Sequence, residues 1–189
     1  MGFGRIGGML VVGGCVLFMI AVAIAMSGGS VGLGGRDAGG LVLAASLALV
    51  GSGAAVLSVA GPRPLNGRAV RVGLGTLSVG LVSLLASSIM VVASTVGSEE
   101  SLPMLVLVFV GLVASVVGAL ITALSLVRTP PGPSRGVGLL FLAGMLLFVL
   151  TTLYAQPLQA IAGALAVLGG TGVGVLAING SRSAPVASL

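Results

Sequence analysis

The chain contains no histidine, lysine or tryptophan, and its 189 residues include only three acids and one cysteine. Each shortage removes a class of chemistry. Without histidine or a carboxylate cluster, neither a catalytic metal site nor a Ser–His–Asp or Cys–His constellation can be assembled. General acid–base work would fall to Asp37, Glu99 or Glu100, none of which lies within an apolar stretch. The single cysteine, Cys15, excludes a disulfide framework. Proton-coupled carriers, voltage sensors and charged selectivity rings need ionisable groups inside the bilayer. Here only Cys15, and Tyr154 near the end of a stretch, answer to that description. The expectation is a protein that is not an enzyme and carries no cofactor or metal.

What the chain does have is long uncharged runs. Residues 6–35, 38–62, 72–98, 101–127 and 136–181 contain no Asp, Glu, Lys or Arg. About 20 apolar residues rising 1.5 Å each cross a hydrocarbon core of about 30 Å. Charged residues are 6% of the total, against about 25% in a soluble domain. The composition therefore predicts a single membrane domain over 1–189 with no room for a soluble one. Net charge is +5, but the eight arginines form no cluster and no aromatics interleave with them, so nucleic acid is not an expected partner. Arginine without lysine, beside abundant Gly, Ala and Val, is the composition of a GC-rich bacterial genome.

Six helices are expected, at about 7–27, 40–60, 72–96, 102–127, 136–155 and 158–179. Gly61-Pro62-Arg63-Pro64 stops the second and Pro130-Pro131-Gly132-Pro133 follows the fourth. Ser101 can cap the fourth, with Pro103 in its first turn, and Gln156-Pro157 divides the last uncharged stretch. On this layout Arg5, Arg63, Arg68, Arg71, Arg128, Arg135 and Arg182 share one side and Arg36 stands alone on the other. Seven against one predicts cytoplasmic N- and C-termini in a bacterial inner membrane, with these arginines as topology anchors near anionic lipid. A rival reading makes the first span a signal peptide with an A-x-A site at Ala23-Ile24-Ala25, which would leave five helices.

The arginines also mark a period. Arg5, Arg71 and Arg135 open the odd helices, while Arg63, Arg128 and Arg182 close the even ones. Nine residues after each opening arginine stands Gly14, Gly80 or Gly144, and ten before each closing one stands Gly53, Gly118 or Gly172. With 33 glycines in 189 residues, chance gives about 0.2 such all-glycine columns over some 40 aligned positions, and two are present. The pattern predicts three tandem hairpins, about 5–63, 71–128 and 135–182, related by a pseudo-threefold axis along the membrane normal. The six glycines would fall near mid-membrane, where they either let helices approach closely or line a narrow waist for a small solute.

Sixteen hydroxyls lie in the spans, seven of them on the third helix: Thr76, Ser78, Ser83, Ser87, Ser88, Ser94 and Thr95. Such groups bond their own helix carbonyls or bridge neighbours. If any helix lines a polar path, this one is expected to. Asp37, Glu99, Glu100, Tyr154, Gln156 and Gln159 would gather at the other end, as a solvated face or a cation site. Gly2-Phe-Gly4-Arg-Ile-Gly7 spells a dinucleotide fingerprint, but it lacks the preceding strand that chemistry needs.

With Arg135-Gly136 followed by Gly144 as the nearest local likeness, the plan resembles in outline the three-hairpin membrane proteins of the bacterial acid-resistance (HdeD-type) family. The resemblance is one of layout and implies no activity. Two functions are expected from the residues themselves. One is a non-catalytic protein acting through helix–helix contacts, as an accessory subunit to a membrane partner or by self-association. The other is a passive channel or facilitator for a small neutral solute.

Overall fold

The computed structural model describes residues 2–27, 38–62, 65–93, 102–130, 132–154 and 156–180. Within them the chain is all helical: α1 (Phe3–Met26), α2 (Ala38–Ala60), α3 (Arg68–Ala93), α4 (Leu102–Val127), α5 (Pro133–Tyr154) and α6 (Gln156–Gly180). Among the described residues five stretches are long and apolar enough to cross a membrane: Phe3–Ile24, Ala38–Ala60, Arg68–Met90, Pro103–Val127 and Gly163–Gly180. In α5 the apolar stretch among the described residues is Pro133–Leu147.

Three helices begin earlier than the uncharged runs suggest, α1 at Phe3, α3 at Arg68 and α5 at Pro133. Hydrophobicity marks where the bilayer could begin, but backbone hydrogen bonding carries a helix past that boundary. An arginine stem can lie along the helix with its head group in water. Proline sets φ for the first turn and lacks an N–H that would be unpaired there, which suits Pro133 to the start of α5 and Pro103 to the first turn of α4.

The helices run up and down in a ring. Each packs on its neighbours in sequence, and α6 returns to pack on α1. Antiparallel pairing is explicit in the contacts: Gly53 faces Gly7 and Val11, Gly14 faces Ser46 and Val50, and Gly8 faces Gly174 and Ala177. Consequently Arg5, Arg68, Arg71, Arg128 and Arg135 gather at one end, the arginine end. Arg63, Arg182 and Arg36 lie outside the described residues.

Two devices close the turn between α2 and α3. The Arg71 guanidinium donates to the Ser58 carbonyl (2.9 Å) and the Val59 carbonyl (2.5 Å), supplying last-turn carbonyls of α2 with the partners a helix end lacks. Leu65, set by a turn in which its N–H donates to the Pro62 carbonyl (2.7 Å), is fully buried beside Leu57, Val70 and Leu74. Replacing Arg71 by Ala should cost about 1–2 kcal/mol. Detergent-titrated unfolding followed by circular dichroism reads the loss, and Arg71→Lys should recover less than half because one ammonium cannot reproduce the fork.

Candidate functional site

The six spaced glycines sit within the hairpins. A Cβ on Gly14 would lie 2.8 Å from the Val50 nitrogen and 3.0 Å from the Ser46 carbonyl oxygen. A Cβ on Gly80 would meet the equivalent atoms of α4, the Ser115 nitrogen and, at 2.8 Å, the Gly111 oxygen. Gly53 abuts the Gly7 oxygen and Val11 nitrogen, both at 2.8 Å, while Gly118 abuts the Gly73 oxygen (2.7 Å) and the Leu77 nitrogen. From hairpin α1–α2 to hairpin α3–α4 these partners advance by 65 or 66 residues, the interval of the arginines. In α5–α6, Gly144 meets the backbone of Ala166, and Gly172 meets the Val137 side chain at 2.8 Å. At Gly14, Gly53, Gly80, Gly118 and Gly144 backbone thus lies against backbone, while at Gly172 the neighbour is the Val137 side chain. Between helices this close dispersion adds to the packing, since lipid chains give no hydrophobic drive. None of the six lines the central space.

That central space is a half-open chamber of about 280 Å³ lined by residues of all six helices. Val11, Cys15 and Phe18 come from α1, Leu47, Val50 and Ala54 from α2, and Leu112, Val116 and Ala119 from α4. Phe141 and Met145 represent α5, with Gly163, Ala166, Val167, Gly170 and Val173 on α6. The face of α3 that looks inward is Leu74, Leu77, Leu81 and Leu84. Its hydroxyls look elsewhere. Ser83, Ser87, Ser88 and Thr76 donate to carbonyls of their own helix, and Ser78 donates across to the Gly51 carbonyl at 2.9 Å. The described hydroxyls of α3 thus bond their own helix carbonyls or bridge to a neighbour, as such groups are expected to, and the helix turns a leucine ladder and not a polar path toward the chamber. Ser94 and Thr95 lie outside the described residues.

Two hydroxyls reach the wall, Ser46 and Ser115. The Ser115 Oγ is shielded from solvent and without a hydrogen-bond partner, pressed toward Gly80. Toward the arginine end the space is closed by Leu57, Leu65, Ala123, Leu126 and Ala177, each with no exposed surface. Sequence reasoning missed Leu65, although it is the one large apolar residue in Arg63-Pro64-Leu65-Asn66-Gly67-Arg68. Asp37, Glu99 and Glu100 lie outside the described residues, as do the side chains of Tyr154, Gln156 and Gln159. The A-x-A site falls at the end of α1, and the helix before it supplies chamber wall and core through Val11 and Cys15.

The family models, curated proteins and solved structures compared with the chain contain no match to it. What the fold and site define is a ring of apolar helices around an apolar chamber.

Proposed function

We propose that the chain is a non-catalytic, multi-pass protein of a bacterial cytoplasmic membrane whose working part is this chamber. It binds a small neutral solute, or passes one through the bilayer, without chemistry. The observation that carries the reading is that all six helices contribute to one wall. A pocket of this kind, apolar and at the centre of a helical ring, is where small-molecule sites are built.

The finer architecture belongs to the same proposal. Six spans form three tandem hairpins in one orientation, supported by the matching glycine contacts of the first two hairpins. The arginine end faces the cytoplasm, supported by the excess of seven arginines to one. The six glycines act as packing points, and the arginines anchor the ends in lipid head groups.

A second reading makes the chain an accessory subunit or homo-oligomer. It draws on α4, the least buried of the five spanning stretches, whose outer face exposes Leu105, Val106, Phe109 and Val113. Weighing the intact complex from native nanodiscs separates the two: a stoichiometric foreign protein or a second copy of the chain supports the subunit reading.

The chamber is tested with a Phe141→Trp variant. The chain has no tryptophan, so the new side chain is the sole reporter, and Phe141 is only 7% exposed. In vesicles, 1-bromohexane should quench it saturably, as occupation of one site requires. Quenching that rises linearly, as for a tryptophan ester dissolved in the same bilayer, would falsify the chamber as a binding site.

A further inference from the structure

We infer that the solute is an apolar molecule dissolved in the membrane, and that it enters sideways, between α1 and α6, through a portal walled by Cys15 and Val167. This rests on the chamber reading above and adds the solute's chemistry and its route.

The chemistry follows from the wall. A polar solute leaving water would find two hydroxyls, one of them shielded, and a ladder of leucines. Hydrogen bonds lost to water would go unreplaced, at a cost of a few kcal/mol for each polar group. An apolar solute loses nothing on moving from lipid chains to such a wall. The arginine end offers no competing way in, because its five fully buried side chains seal the space from that side.

The route follows from the seam between the first and last helices. At the arginine end the two touch backbone to backbone: a Cβ on Gly8 would lie 2.6 Å from the Gly174 oxygen, and one on Gly174 would lie 2.8 Å from the Gly8 oxygen. One turn further along α6 the contact loosens, and a Cβ on Gly170 would meet only the Cys15 Sγ, at 3.2 Å. Two turns beyond, a Cβ on Gly163 would meet nothing within 4 Å, and the residue lines the central chamber. Here a second cavity of about 180 Å³ is lined by Val16, Met19 and Leu168, all exposed on the outer surface. It shares two wall residues with the central chamber, Cys15 and Val167. At this level the ring is one layer of side chains thick, with space on either side. Rotation of one small thiol and one valine joins the two spaces while the Gly8–Gly174 crossing stays fixed. Cysteine here is a small, adaptable apolar residue.

The test pins the seam. Gly170→Cys, placed in the Phe141→Trp protein, brings a second sulfur within bonding reach of Cys15, since the new Cβ starts 3.2 Å from the Cys15 Sγ. Diamide closes the bridge and dithiothreitol reopens it, so each sample is its own control. Stopped-flow mixing with 1-bromohexane vesicles reads the rate and the final depth of quenching. The expected result is a rate at least tenfold slower when bridged than when reduced, saturable quenching reached in both states, and full recovery of the rate on reduction. An unchanged rate overturns the portal and leaves the chamber standing. A lost depth also overturns it, because pinning has then collapsed the chamber instead of closing a path. Absence of saturable quenching in the unpinned Phe141→Trp parent removes the chamber itself, a failure distinct from either.

Discussion

Gly118→Ala, the loss of one hydrogen for one methyl, should destabilise the protein by about 2–3 kcal/mol, and Gly118→Leu should leave no folded protein to purify. The methyl would sit 2.7 Å from both the Gly73 oxygen and the Leu77 Cα, and closer still to the Leu77 nitrogen. These are backbone atoms of a helix, so no rotamer change relieves the clash. The α3–α4 hairpin must open, and the dispersion along its whole crossing weakens with it. The control is the same substitution at Gly163, where a Cβ meets nothing within 4 Å. There alanine should stabilise by up to about 1 kcal/mol, because glycine gives up more backbone freedom on joining a helix. Unfolding of both variants in mixed micelles, read by circular dichroism, should show shifts of opposite sign. Equal losses at the two positions would mean that helix approach at Gly118 is not what holds the hairpin.

Gly163→Phe should give a protein that folds and does not bind. Position 163 shares the inward face of α6 with Ala166, Gly170 and Val173, and its Cβ direction is free, so the ring enters the chamber without moving a helix. In the Phe141→Trp background the saturable quenching by 1-bromohexane should fall at least fivefold, while the unfolding midpoint stays at or above that of the parent. A filler that left binding intact would place the binding site elsewhere. A filler that abolished folding would show the space to be already occupied by packing. The pairing of unaltered stability with lost binding is therefore the informative outcome.

Much of this architecture could be read from the residues, for physical reasons. Bilayer thickness fixes the length of a span, so the charge-free runs revealed where helices lie. Prolines at 62, 130, 133 and 157 marked where they break. The glycines at 14, 53, 80, 118, 144 and 172 stood out by their fixed distances from the arginines.

Which way each helix faces was not legible. In a soluble bundle the polar face betrays the outside, but here lipid and chamber are both apolar and the contrast disappears. That is why Leu74, Leu77, Leu81 and Leu84 passed unnoticed beside the serines of the same helix. Those serines satisfy themselves on backbone carbonyls and need no polar path. A threefold arrangement implies that α6 returns to α1, but the residues that meet there were hidden, since no spacing in a linear sequence links Gly8 to Gly174. Leu65 was masked by its setting among arginines and prolines, where burial is not the default.

The central claim is that one chain closes on itself, first helix to last, around the chamber. The most direct measurement oxidises Gly170→Cys in native membranes, in a variant carrying a protease site after Pro130. After cleavage and denaturation, the account predicts that the two fragments stay joined through Cys15 until a reductant is added. Fragments that separate without reductant, or bridges found only between two chains, would contradict it.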